Sequence, residues 1–300
     1  MSKKQKTPKQ PKPYKKKLIK RRKPNRSIWG DIFLYLFLVL AAVIMAFPIV
    51  FAVENALKPL DELYRFPPRF FAQNPTLDNF ADLFVSMGKR WVTFPIYVFN
   101  TVFVTTLGTA GHLIIASMGA FVLAKYDFPG GKLFFKIVTT AMLFNGTVLG
   151  IPQYVIMNKL NLIDSYWALI IPAIGGTLGF FLMKQFMEGL PMALIEAAKI
   201  DGANEWMVFS KIVMPNVKPA WLTLIIFSVQ NLWNNGGTQF IYSEEKKMLA
   251  FALTQVAAGS IARTGQQAAV NVVLMIVPIA IFILSQSQIL ETMASSGLKD

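Results

Sequence analysis

The chain has 300 residues, 54% of them apolar and 15% charged, with a mean hydropathy of +0.46. An average soluble domain carries about 25% charged residues, so this composition excludes an ordinary water-soluble fold and indicates an integral membrane protein. The absence of cysteine excludes disulfides and thiol chemistry, and a single histidine argues against a histidine-based metal centre or triad.

Residues 1–27 hold thirteen Lys or Arg and no acid, and the rest of the chain is close to neutral although the formal net charge is +14. Only Tyr14 interleaves with these bases, too little aromatic surface for a nucleic-acid site. The expected form is a disordered, solvated cytoplasmic arm near anionic lipid headgroups. The tail is long for the charged region of a signal peptide, and the apolar run behind it is too long for the core of one. An uncleaved first span is therefore expected.

A membrane span needs about 20 mostly apolar residues. Six segments qualify: Ile32–Val53, Val98–Ala124, Leu133–Val155, Tyr166–Met183, Ala220–Tyr242 and Ala269–Leu290. Trp91 to Tyr97 reads as an apolar, interfacial lead into the second. Pro48, Pro152, Pro172, Gly175, Gly176 and Pro278 interrupt the spans; neighbouring helices must then satisfy the freed backbone groups. Gly108, Gly111 and Gly119 share roughly one side of the second span and suit close helix packing.

The basic tail sets the orientation, because cytoplasmic segments carry the excess of Lys and Arg. Counting crossings from it places loops 54–97, 156–165 and 243–268 outside. Loops 125–132 and 184–219 and the C-terminus fall inside. The expected fold is thus all-α, with a disordered tail over 1–27 and a six-span domain over 28–300, both termini cytoplasmic.

Loop 184–219 is polar yet ordered in pattern. Pro191 fits the first turn of a helix, and Met192 to Lys199 are good helix formers. Gly202 permits a turn. Asn204 or Asp201 can cap a second helix through Trp206, Phe209 and Val213, which Pro215 and Pro219 are expected to end. The result is a helical knuckle able to move as a rigid body. Its pattern is Glu196-Ala197-Ala198, three residues, Gly202, nine residues, Ile212, one residue, Met214-Pro215. It resembles the EAA loop of permease subunits in ATP-binding-cassette (ABC) importers. Asp201-Gly202-Ala203 is similar to the carbohydrate-importer version, with Met214 where leucine is usual.

The resemblance covers roughly residues 28–300. Phe66-Pro67-Pro68 and Asn74-Pro75-Thr76-Leu77-Asp78-Asn79-Phe80 look like the first external loop of carbohydrate-importer permeases, the class of the maltose importer's smaller permease. Asn231-Leu232-Trp233-Asn234 is similar to their fifth-span segment, and Ser296-Gly297-Leu298-Lys299 to their short tail. The resemblance implies a type I importer permease of the bacterial cell membrane, with no covalent chemistry of its own. It further implies ATPase coupling through Glu196, Ala197, Ala198, Asp201, Gly202, Ala203, Phe209, Ile212 and Pro215. ATP and magnesium would bind separate ATPase subunits, and the chain holds no Gly-x-x-x-x-Gly-Lys-Ser/Thr run of its own. Implied partners are a second permease, two ATPase copies, an extracellular solute-binding protein, a sugar and membrane lipid, with no nucleic acid.

A sugar needs hydrogen-bond partners and flat apolar faces. Asn145, Gln153, Tyr154, Gln230, Asn231, Trp233 and Asn234 are the pathway candidates, together with Asn235; interhelical hydrogen bonding is the alternative role for each. His112 sits among small residues and is expected to pack. An ion-coupled secondary transporter usually places carboxylates in mid-span, and no Asp or Glu lies well inside any of these six. An ABC permease for another solute, such as a peptide, would share fold and coupling.

Overall fold

The computed structural model of the protein describes residues 27–144, 146–258 and 263–296. The tail before Ser27, Asn145 and the ending from Gly297 lie outside the described residues. Every regular element among the described residues is helical. The chain divides into two units, Met1–Pro48 and Ile49–Asp300. The first ends within α1 (Ile28–Leu57), a helix apolar on all faces, as a membrane span must be.

The second unit is organised around α4 (Phe94–Lys125). The lead expected over Trp91 to Tyr97 divides, because Phe94–Tyr97 form the first turn of α4 and Trp91–Thr93 stay outside it. A Cβ on Gly108 would lie 2.6 Å from Leu232, one on Gly111 2.7 Å from Ile174, and one on Gly119 2.7 Å from Phe180. The three glycines therefore let α4 approach three neighbours closely: α7 (Trp167–Ile174), α8 (Thr177–Glu188) and α12 (Lys218–Trp233).

Before α4, α2 (Leu60–Leu63) and α3 (Asp78–Gly88) order the loop over 54–97. The Glu62 carboxylate accepts the amides of Gln73 and Asn74, each at 2.9 Å. The Asn79 side chain donates to the carbonyls of Ala56 and Lys58, which gives that motif residue a local structural role.

Two expected spans differ in the structure. The third is split into α5 (Gly131–Ala141) and α6 (Gly146–Lys159), of 11 and 14 residues. Thr139 and Thr140 hydroxyls donate back to the carbonyls of Phe135 and Lys136, a competition that bends helices. The amides of Leu143 and Phe144 then tighten onto Thr140 and Ala141. The fifth was expected to reach Tyr242, but α12 ends at Trp233. Asn235 accepts the Gly237 amide at 2.9 Å and Gly237 adopts φ +70°, a turn that glycine enters at little cost.

Of the expected interruptions, Gly175–Gly176 separates α7 from α8, whereas Pro48, Pro152, Pro172 and Pro278 lie inside helices. After α12, a short helix α13 (Leu249–Ala257) precedes the long α14 (Thr264–Ser296). Among the described residues four helical stretches, one of them α7 with α8 taken together, are long and apolar enough to cross a membrane, or five if the pair 205–216 and 218–233, bent by 80°, forms one span.

Candidate functional site

The knuckle forms between α8 and α12. Pro191 precedes α9 (Met192–Ile200), and Gly202 turns the chain at φ +86°. Asn204, rather than Asp201, caps the second helix, its side-chain oxygen accepting the Met207 amide at 2.8 Å. That helix runs through α10 (Glu205–Met207), a six-residue π-helical turn (Val208–Val213) and α11 (Met214–Asn216). Pro215 has no N–H to give Lys211, and its ring crowds the carbonyl one turn back. Widening to a π pattern relieves both, and the Met214 amide reaches Phe209 instead. Pro215 thus lies inside a helix. The break falls at Val217, and Pro219 starts α12 instead of stopping the knuckle.

The coupling candidates divide by face. Ala198 and Phe209 are buried with Ile195, Val208 and Val213 against Phe121, Met183 and Leu224. Ala203 and Ile212 are half-buried, and Glu196, Ala197, Asp201, Gly202 and Pro215 are exposed. Sequence reasoning overlooked Ile200, which is 87% exposed, and gave Trp206, 63% exposed, only a place in the helix. An isoleucine directly after a run of helix formers could have been flagged by periodicity, since Ile195 and Ala198 already occupy the inward face.

The end of α4 meets the knuckle. The Tyr126 hydroxyl donates to the Glu205 carboxylate, which also pairs with Lys199 at 2.7 Å. The Lys199 ammonium lies 3.3 Å from the Tyr126 oxygen and 5.1 Å from its ring centre. Lys199 first and then Tyr126 hold the Glu205 carboxyl below its ordinary value, while Glu205 and then Tyr126 push Lys199 up. Burial, then Glu205, raises the Tyr126 phenol. Beside them Lys125 donates to the Leu190 carbonyl at 2.6 Å, and the Phe121 ring lies 5.5 Å from Phe209 and 5.6 Å from Tyr126.

Midway along α4 a groove of about 610 Å³ is lined by His112, Thr177, Phe227, Ser228, Gln230 and Asn231, among others. His112 is buried and fully bonded. Its Nε2 faces the Gly176 carbonyl at 2.9 Å, which can only accept, so Nε2 carries the hydrogen. Nδ1, in the neutral ring, then accepts from the Ser228 hydroxyl at 2.7 Å. A Cβ at Gly176 or Gly179 would fall 2.6 or 2.5 Å from the imidazole, so these glycines make room for it.

The pathway candidates do not gather in one place. Gln230 and Asn231 line the groove, and exposed Asn234 bonds the Gln230 carbonyl. Trp233 is buried on another face of α12, against Tyr97, Leu253 and Val270. Gln153 is half-buried. Tyr154 accepts from the Tyr242 hydroxyl at 3.1 Å and stacks on Phe240, with segment 240–242. Asn145 lies outside the described residues.

At the other end of α4 is a polar latch. Asp164 accepts the amides of Tyr242 and Ser243 at 3.0 and 2.9 Å, the Ser243 hydroxyl, and the Lys246 ammonium at 3.2 Å. Partial burial pushes its carboxyl up, but the bonds from Ser243, Tyr242 and Lys246 outweigh this and hold it far below the usual carboxylate range. Glu244 joins the latch to α4, accepting from Tyr97 at 2.7 Å and pairing with Arg90 and Lys247. Asn100 donates to the carbonyls of Glu245 and Lys247. Tyr97 and Tyr126 lie about 44 Å apart at the rise of an α-helix, which matches the roughly 40–45 Å of a bilayer with its headgroups.

Residues 69–293 match the family described as "Binding-protein-dependent transport system inner membrane component". The chain is 34% identical over 196 residues to the arabinooligosaccharides transport system permease protein AraQ of Halalkalibacterium halodurans, covering 65% of this chain and 69% of the relative. It is 32% identical over 217 residues to the polygalacturonan/rhamnogalacturonan transport system permease protein YtcP of Bacillus subtilis, covering 71% and 72%. A crystal structure of a bacterial ABC transporter involved in import of the acidic polysaccharide alginate contains a chain of similar fold. The TM-score is 0.69 at 22% identity, covering 88% of this chain and 99% of that one.

Proposed function

This chain belongs to the inner membrane components of binding-protein-dependent transport systems, and we propose that it is a permease subunit of an ATP-driven importer for oligosaccharides. The observation that carries the proposal is the knuckle. It is an ordered helical hairpin that keeps Glu196, Asp201, Ile200 and Trp206 exposed while its own core is filled. A solvent-facing loop has no use for two large exposed apolar side chains on one short hairpin, whereas a docking face does. The substrates in the relatives' names, arabinooligosaccharides and polygalacturonan or rhamnogalacturonan, supply the solute class.

In this reading the chain crosses the membrane six times. Its segments are α1, α4, α5 with α6, α7 with α8, α12 and α14, with both termini and the knuckle in the cytoplasm. The chain is non-catalytic, and ATP and magnesium bind two partner ATPase subunits. A second permease completes the pathway, and an external solute-binding protein docks on the latch side, over loops 54–97 and 243–268. Closure of the ATPase dimer on ATP moves the knuckle, the bundle opens outward to take the sugar, and hydrolysis resets it. Gln230, Asn231 and Phe227 offer a hydroxyl-bearing solute hydrogen bonds and a flat apolar face in the groove.

The experiment is recovery of this chain from detergent-solubilised membranes, followed by ATPase assays with binding proteins and arabinan- or pectin-derived oligosaccharides. Co-recovery of a second permease and an ATPase, stimulated by one loaded binding protein, is expected. A chain that emerges without an ATPase overturns the proposal.

A further inference from the structure

We propose that Tyr126, Glu205 and Lys199 form a clasp that makes α4 the lever of the knuckle, carrying its movement to the groove. The proposal rests on the reading of the knuckle as an ATPase seat. By covalent connection the knuckle belongs to α8 and α12 alone, and a displacement of it would be handed only to those two helices. Its noncovalent ties say otherwise. Lys125, the last residue of α4, donates to the Leu190 carbonyl at the knuckle's entrance, and Tyr126, directly after it, donates to Glu205 at the start of the second helix. Lys199, from the end of its first helix, completes the clasp at 2.7 Å from Glu205. One phenol and one ion pair thus join α4 to both helices of the hairpin across the Gly202 turn.

A lone exposed ion pair contributes little, but this one shares its carboxylate with a neutral donor and lies over an aromatic ring. The buried contact of Phe121 with Phe209 lies directly beneath it. From Tyr126 the helix runs about 21 Å back to His112 at its regular rise. There the imidazole grips Ser228 of α12 and the Gly176 carbonyl before α8, at the wall of the groove. A packed helix of that length shifts as a body. The exposed apolar side chains Ile200 and Trp206 are separate from the clasp and remain available for a partner. Tyr126 and Glu205 are therefore positioning residues, acting through α4 and not on the solute.

The test uses the whole importer recovered through this chain and placed in lipid nanodiscs. The chain has no cysteine, so Thr177→Cys gives it one thiol in the groove. Labelling by a charged methanethiosulfonate is read on this chain by mass, with and without ATP, magnesium and vanadate. Tyr126→Phe and Glu205→Gln are expected to keep ATPase recovery and to shrink the nucleotide-dependent change in labelling about fivefold, the lower end of coupling between linked sites. The charge swap Lys199→Glu with Glu205→Lys is expected to restore part of it.

A full nucleotide response in both single variants would overturn the proposal. So would loss of ATPase recovery in both, because the clasp would then belong to the docking face. A parent complex that binds nucleotide with no change at position 177 would also overturn it. If the parent chain brings down no ATPase at all, the seat itself fails, an outcome distinct from failure of the clasp.

Discussion

The two ends of α4 use the same kinds of residues for different ends. At the latch, Asp164 accepts four bonds and is 30% exposed, its partner Lys246 is 41% exposed, and the side chains of Arg90, Glu244 and Lys247 are 25, 26 and 17% exposed. At the knuckle, Lys199 and Glu205 are 37 and 59% exposed, and Ile200 and Trp206 stand in the open beside them. The latch ties the Asp164 turn to segment 242–247 and that segment to the start of α4. The knuckle satisfies its own backbone through Asn204 and the π-helical turn, yet leaves an amphipathic face unused. On the proposed function, the face left open at the knuckle is the one a partner would cover.

Breaking the hairpin should have the largest effect. Gly202 needs φ +86°, proline is locked near −65°, and any side chain there costs roughly 1–2 kcal/mol. Gly202→Pro is expected to abolish ATPase recovery while the chain still inserts, checked by co-purification beside protease protection of the spans. Normal recovery would contradict the role of the turn.

Removing the latch acceptor should act on stability instead. Asp164→Ala strands the Tyr242 and Ser243 amides, while Lys246 keeps its bond to the backbone carbonyl at 164. It is expected to cost about 1–3 kcal/mol, read as a lower thermal unfolding midpoint with ATPase recovery unchanged. Loss of the ATPase without loss of stability would reverse the assignment of the two ends.

Acid should separate the ends by degree. Both carboxyls are depressed on folding, so each contributes above its ordinary value and loses that share as pH falls through its lowered one. Asp164 is held much lower than Glu205. Lys199 is raised, so its share is complete below its ordinary 10.5 and untouched by acid. As pH falls below the ordinary carboxylate range the knuckle should therefore loosen first. Amide exchange at Met207 is expected to rise before exchange at Tyr242 and Ser243, and the opposite order would contradict the comparison.

The smallest effect on stability is expected from Ile200→Ser and Trp206→Ala. Exposed substitutions of this kind stay within about 0.5 kcal/mol, while ATPase recovery falls. Unfolding and co-purification measured on one preparation would sharpen the contrast with Asp164→Ala.

The knuckle was legible in the sequence because it is local. Pro191, Gly202 and Asn204 each act within a few residues, and a short-range pattern contains all of them. The π-helical turn was less so, since Pro215 reads equally as a stop. The latch was illegible because Asp164 meets Tyr242 and Ser243 from nearly 80 positions away. Hydropathy reads 133–155 as one run and does not register the break between α5 and α6, beside which Thr139 and Thr140 bond back to the helix. The pathway candidates on α12 could have been sorted by face. Phe227, Gln230, Asn231 and Asn234 fall on one side of a 3.6-residue period, and Ile225, Val229 and Trp233 on the other. The groove and the buried core follow that division. His112 packs, as its small neighbours suggested, and Gly176 and Gly179 are the space it packs into.

On the proposed function the knuckle seats an ATPase and the latch lies on the other side of the membrane. In this cysteine-free chain, single substitutions Ile200→Cys and Tyr242→Cys can each carry a photo-activated thiol cross-linker within the intact complex. An adduct with the ATPase subunit from position 200, and none from position 242, is the predicted result. An ATPase adduct from position 242, or its absence at position 200 in a complex that retains the ATPase, would contradict it.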